Sequence, residues 1–145
     1  LSRMKLFLCV LLLLVATVSA LPNLFGRVQS AAVKGKLVCN GAGAAAVKVK
    51  LYDVDTLDPD DLMAEGTTSA DGTFQLSGSE KENTDIDPKV NIYHKCNHKG
   101  FCWRKFSVII PKSFVSQGER PDKVFDLGTI NLEGRFSGES TDCIN

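Results

Sequence analysis

The sequence predicts an all-β fold, a seven-stranded antiparallel β-sandwich. Three observations carry this expectation. Apolar residues alternate with polar ones in several short runs, turn-forming residues separate those runs, and beyond the N-terminal region no stretch has the apolar spacing of an amphipathic helix.

The runs can be justified in order. VKGKLVC, Val33 to Cys39, places Val33, Gly35, Leu37 and Cys39 on one face and Lys34 and Lys36 on the other, the period-two pattern of a half-buried strand. After the loop NGAGAAA, the run VKVKLYDVD, Val47 to Asp55, repeats it, with Val47, Val49 and Leu51 inward and Lys48 and Lys50 outward. An acidic segment, DVDTLDPDDL, follows. Asp71-Gly72 is a hairpin dipeptide, so GTTSA and TFQLSG are expected to pair across it. PKVNIYHKC, FCWRKFSVII (ending at Pro111) and KVFDLGTINL are the remaining strands. In the last, Phe125 and Leu127 share one parity and Ile130 and Leu132 the other, which calls for a bulge at Gly128. KSFVSQGERPD reads either as a long polar loop or as a single helical turn.

From Met4 the chain reads MKLFLCVLLLLVATVSA: a basic start at Lys5, an apolar run from Leu6 to Val15, and small residues at Val18 and Ala20. This is the pattern of a secretory signal peptide, with cleavage expected after Ala20 and a secreted, extracellular destination. The apolar run is short of the roughly 20 residues that span a bilayer. Leu1 to Arg3 precede the methionine and are set aside as upstream sequence. The expected organisation is residues 4–20 as signal, 21–32 as an N-terminal segment and 33–145 as a single domain.

The whole chain carries 17 basic and 17 acidic residues; once Arg3 and Lys5 leave with the signal, 15 face 17. Such a balance gives no global attraction for nucleic acid. Cys9 leaves too, so Cys39, Cys96, Cys102 and Cys143 remain, an even number that reads as two disulfides in an oxidising compartment. Four cysteines allow three connectivities. The turn formers Asn97 to Gly100 favour Cys96–Cys102 as a local staple, which leaves Cys39 to pair with Cys143.

Two clusters invite a metal. His94, Cys96, His98 and Cys102 are a set that zinc accepts, but His94 and Cys96 share one strand face and His98 falls in the turn, so nothing forces the four to converge. His94 instead shares the face of Val90 and Ile92 and reads as a buried imidazole hydrogen-bonded to backbone. Asp53, Asp55, Asp58, Asp60 and Asp61 could offer oxygens to calcium, yet the EF-hand order fails, with Leu57 and Ala64 where ligands would stand. A solvated acidic loop that discourages edge pairing is the simpler reading. No cofactor and no metal are expected.

Taken together, GKLVC, VKLYDVD, GTTSADGTFQLSG, PKVNIYHKC, IPKSFVSQG and FDLGTINLEG resemble the nematode transthyretin-like family of secreted proteins, from about Val33 to Cys143 and in the family's order. The resemblance implies a transthyretin or prealbumin-like sandwich of two antiparallel sheets. It implies less about activity, because one fold hosts many functions. The 5-hydroxyisourate hydrolases share the fold, with a C-terminal Tyr-Arg-Gly-Ser tail and channel-lining histidines and an arginine. This chain ends GESTDCIN and its two histidines sit together. A nucleophile elbow, an HExxH helix and a phosphate-cradling glycine loop are also missing from the sequence.

The expectation is therefore a non-enzymatic extracellular binding module, with a hydrolase or a carrier of small hydrophobic ligands as the alternatives. Some transthyretin-like proteins are regarded as bridges between exposed lipid and cell-surface receptors, which implies a lipid headgroup and an extracellular protein as partners, and cations set around aromatics would equally suit an acidic glycan. The residues offer one surface for this: Lys95, Lys99, Arg104 and Lys105, with His98, around the aromatics Phe101 and Trp103. Lys34 and Lys36 form a separate stripe on another strand.

Overall fold

The computed structural model describes residues 25–144. The signal peptide at 4–20 and its cleavage site lie outside the described residues. The described residues include seven long strands: β1 (Arg27–Cys39), β3 (Lys48–Asp53), β4 (Asp61–Thr67), β5 (Thr73–Glu82), β6 (Pro88–His94), β7 (Trp103–Ile109) and β9 (Phe125–Asn131). Three short ones, β2 (Ala42–Gly43), β8 (Ser116–Gln117) and β10 (Ser140–Asp142), add to their edges. The segment left between loop and helical turn contains a 3-10 turn at Lys112–Phe114, followed at once by β8.

The strands form two sheets. In the first, β1 is the spine: β5, β2 and β8 pair with it antiparallel and β9 pairs with it parallel. The second has the order β10-β7-β6-β3-β4 and is antiparallel throughout. Between them lies the core, where Val33 and Leu37 of the first sheet meet Val49, Leu51, Val90, Ile92 and Phe106 of the second, closed by Leu132. Each such side chain, fully buried, contributes roughly 1.5–3 kcal/mol relative to exposure.

The alternation read from the sequence holds where one face meets water. Val49 and Leu51 are buried while Lys48 and Lys50 point outward, and Leu37 is buried between exposed Lys36 and half-buried Val38. β9 bulges where its parity switches. Lys34 and Lys36 of β1 stand opposite Asp126 and Thr129, so β9 holds one extra residue there, and Gly128 adopts a φ of 66° that favours glycine.

Three expectations are corrected. β1 starts at Arg27, so residues 27–32 of the N-terminal segment are the first half of the spine, pairing with β5 from Arg27↔Glu82 onward. Gln29, Ser30, Ala31 and Ala32 are buried in succession, which erases the period-two signal. The buried amide of Gln29 is satisfied by donation to the Thr84 carbonyl at 2.7 Å.

The second correction concerns Asp71-Gly72. It does make a tight turn, in which the Gly72 amide donates to the Ser69 carbonyl and the Ser69 amide to the Thr73 carbonyl, each at 2.9 Å. The flanking strands nevertheless do not pair with each other. β4 pairs with β3 and β5 with β1, so the turn carries the chain from one sheet to the other.

The third is the disulfide pattern. Cys39 pairs with Cys96 and Cys102 with Cys143, not Cys96 with Cys102 and Cys39 with Cys143. The β6–β7 ladder ends at His94↔Arg104. Beyond it the His98 amide donates to the Lys95 carbonyl, and this turn leaves Cys96 buried in the core cluster against Cys39. Cys102 is left beside β10, whose register Asp142↔Trp103 brings Cys143 opposite it.

Candidate functional site

The loop between β6 and β7, residues 95–102, carries most of the proposed binding residues. It is tied at both ends, by Cys96 to the end of β1 and by Cys102 to the C-terminal segment. Asn97 takes a φ of 51° and its side-chain oxygen accepts from Nδ2 of Asn40 at 3.0 Å, fixing the loop against the turn after β1. A Cβ at Gly100 would lie 2.7 Å from Nε2 of His98, so any larger residue there would displace that ring.

Lys95 organises the tip. Its ammonium donates to the Gly100 carbonyl at 3.1 Å and the Phe101 carbonyl at 2.8 Å, and stands 4.8 Å from the centre of the Trp103 ring. The Lys48 ammonium, from β3, lies 5.9 Å from the same ring, within the range of a cation–π contact. Lys99 is exposed, and Phe101 is 82% exposed, a large apolar ring held in water by a rigid loop.

Arg104 must be removed from this surface. It shares the parity of Phe106 and points inward, only 4% exposed, donating to both carboxylate oxygens of Glu139 and to the carbonyls of Cys96, Leu132 and Gly134. Lys105 faces outward but belongs to a neighbouring cluster, 5.5 Å from the Tyr93 ring and 3.8 Å from the Asp142 carboxylate. Lys50 stands 5.6 Å from the same tyrosine. The outer face of the second sheet is thus a ladder of lysines on aromatics, in which Lys48 and Lys50 complete pairs that Lys95 and Lys105 begin. Cross-strand register brings these together, with Tyr93 between Lys48 and Lys105. The outward parity of Lys48 and Lys50 was readable; which aromatics they would cover was not.

His94 is buried as expected. Its Nδ1 accepts from the Cys96 amide at 3.1 Å, while Nε2 has no partner. Burial, and then the adjacent Arg104 guanidinium, lower its pKa to about 4, so the ring is neutral at physiological pH. With Cys96 and Cys102 committed to disulfides, the zinc set is dismantled.

The five aspartates do not converge on one point either. Asp60 is bonded to Lys89 and to the Asp55 amide, and Asp61 opens β4. Asp53 and Asp55 instead approach Glu82 of β5, with oxygens of all three within 4.8 Å of one another. Asp53 is 2% exposed and accepts from the Asp87 amide at 2.6 Å. Burial raises its pKa against the pull of that hydrogen bond, and the charges of Asp55, Glu82 and Asp87 raise it further. A carboxyl raised in the folded state favours folding while protonated and loses that contribution as pH rises through the folded value. Asp53→Asn keeps the acceptor and removes the charge. It is expected to raise Tm at pH 7, with the gain shrinking as the pH falls into the carboxylate range. An unchanged or lower Tm in thermal scans at pH 7 would contradict this.

Known proteins provide the last observation. Residues 34–111 match the family model described as "TTR-52: Transthyretin-like family". Three Caenorhabditis elegans proteins are similar over most of their length. Transthyretin-like protein 5 is 50% identical over 93% of this chain and 99% of its own, transthyretin-like protein 33 is 52% identical over 81% and 83%, and transthyretin-like protein 2 is 45% identical over 92% and 95%. These names describe a fold family and no reaction. The sandwich of two sheets and the family match agree, and the chain belongs to the transthyretin-like family.

Proposed function

We propose that the protein is an extracellular binding module whose β6–β7 tip docks on an anionic surface, bridging a lipid or glycan coat to a protein partner. The observation that carries this reading is Phe101, exposed in a doubly anchored loop and flanked by Lys95, Lys99 and the Trp103 ring with its two ammonium groups. An apolar ring enters the headgroup region while the lysines meet anionic charge, the division of labour of membrane-surface anchors. The two disulfides and the absence of a long apolar helix among the described residues are compatible with life outside the cell.

Liposome co-sedimentation tests the proposal. Each cation near an anionic membrane is worth about 1 kcal/mol, so Lys95→Ala with Lys99→Ala should weaken binding on the order of thirtyfold, most at low salt. Lys95→Arg keeps the charge and separates attraction from loop support. Phe101→Ala should weaken binding without changing its salt dependence. Lys34→Ala with Lys36→Ala, on the other sheet, is the control. Equal binding to anionic and neutral vesicles, or a control pair that matters as much as the tip pair, would end the proposal.

A further inference from the structure

The outer face of the first sheet contains a concavity of about 800 Å³, none of whose lining residues belongs to the tip. Its floor is a grid on three strands. Lys34 and Lys36 of β1 lie between Gln75 and Thr73 of β5 on one side and Asp126 and Thr129 of β9 on the other. The bulge at Gly128 makes this possible. Residues 126 and 129 have opposite parity and would face opposite ways on a regular strand; the extra residue lets both stand beside the lysines.

The wall is the connection between the sheets, and it is rigid. Thr68 is buried, exchanging backbone hydrogen bonds with Val47 and Ala46, while its hydroxyl accepts from the Val47 amide at 2.9 Å. Next to it, Asp71 accepts from the hydroxyls of Ser69 and Thr73, each at 2.7 Å, and from the Thr73 amide at 3.0 Å. These bonds hold the Asp71 carboxyl far below the usual carboxylate range. The Ser69 and Thr73 hydroxyls also lie 2.8 Å from each other, so this part of the wall is one closed hydrogen-bonded cluster. On the far side, Asp126 is fixed by the Gly128 amide at 2.8 Å and lies 3.5 Å from the Lys34 ammonium.

We propose that this groove is a second binding site, separate from the tip, and that its ligand is an acidic oligosaccharide. The grid offers donors and acceptors about 4.8 Å apart across strands and about 6.8 Å apart along them, spacings that suit the ring hydroxyls of a sugar. Asp126 is the deciding residue between ligand classes. A ligand that offers only anionic oxygens gains nothing from a carboxylate, whereas vicinal sugar hydroxyls need such an acceptor beside an ammonium. Lys36, between the hydroxyls of Thr73 and Thr129, supplies the charge-assisted donor for one sulfate or carboxylate substituent. A bilayer is the wrong shape for a concave face, and none of the exposed large apolar side chains among the described residues lines it. Preformed walls reduce the ordering cost of binding.

The test is NMR titration of the full chain, produced in a secretory host with both disulfides formed. The probes are a sulfated disaccharide, its unsulfated counterpart and inorganic sulfate. The sulfated sugar should shift amides at residues 34–36, 73–75 and 126–129 saturably and bind at least tenfold tighter than the other two. Lys36→Met should lose about tenfold, the effect of one charge-assisted hydrogen bond. Asp126→Asn should weaken the saccharides more than the ion. Lys99→Ala, at the tip, should change nothing here, so this site and the tip can fail independently. The proposal is overturned if the shifts map to residues 95–105, if inorganic sulfate binds as tightly as the sugar, if Lys36→Met binds normally, or if none of the probes saturates.

Discussion

Arg104→Ala is expected to destabilise the protein by about 3–5 kcal/mol, the cost of breaking a buried ion pair from one side. The guanidinium is a hub. Nε and Nη2 donate to Glu139 at 2.8 and 3.0 Å, Nη1 donates to the carbonyls of Cys96 and Leu132 at 3.0 and 3.1 Å, and Nη2 also reaches Gly134. One side chain on β7 thus holds the turn after β6 and the segment before β10. Alanine leaves three carbonyls without this donor and Glu139 with the exposed Arg135, 2.9 Å away, as its remaining cation. Arg104→Met, which keeps much of the volume, should recover the packing but not the hydrogen bonds.

The pH dependence provides a second readout. Hydrogen bonds from Arg104 lower the Glu139 pKa from its ordinary 4.5 to about 2. A depressed carboxyl contributes stability above its unfolded value and loses it as pH falls through the folded one. The difference between wild type and Arg104→Ala should therefore be constant at neutral pH and shrink between about pH 4.5 and about pH 2. His94 should also respond, because Arg104 helps to hold its pKa near 4; the variant's imidazole should titrate higher by NMR. A loss below about 1 kcal/mol in denaturant unfolding, within the range of ordinary surface changes, would contradict the hub.

Arg104 also marks where the sequence stopped being legible. Grouping it with Lys105 by charge put it on the surface, whereas it shares the parity of Phe106 and Ile110 and lies inside with them, as the period of two in a strand dictates. The same rule worked for β3 and β9, where one face meets solvent. It failed for residues 27–32, where both faces are covered, and for β4, where Asp61 and Leu62 are both exposed. Turn chemistry told where the chain reverses at Asp71-Gly72 but not which strand each arm would pair with, since pairing depends on partners distant in sequence. The tip was half legible for that reason too. Lys95, Lys99, Phe101 and Trp103 are neighbours in sequence, whereas Lys48 arrives through the register of β3 on β6. β10 is three polar residues without alternation, and missing it hid the partner of Cys102.

Removing the Cys39–Cys96 bridge by a double alanine change should cost about 4 kcal/mol in the chain-entropy description, for ends 57 residues apart. The Cys102–Cys143 bridge, with ends 41 residues apart, gives nearly the same value by that reasoning, because the dependence on loop length is logarithmic. Burial separates them. Cys96 is buried in the core and Cys39 packs against it, so the inner double variant also leaves a cavity. Cys143 is exposed, and the described element that it pins, β10, is joined to β7 by three pairs. The inner variant should therefore show the larger drop in unfolding free energy, and it should weaken tip binding as well, since Cys96 anchors the turn that presents Lys95 and Phe101. The outer variant should show the smaller drop, with amides of residues 140–143 losing protection from hydrogen exchange. Non-reducing peptide mapping decides the connectivity directly. A fragment joining Cys96 to Cys102 would contradict it, because that bond would have to replace the turn that points Cys96 into the core.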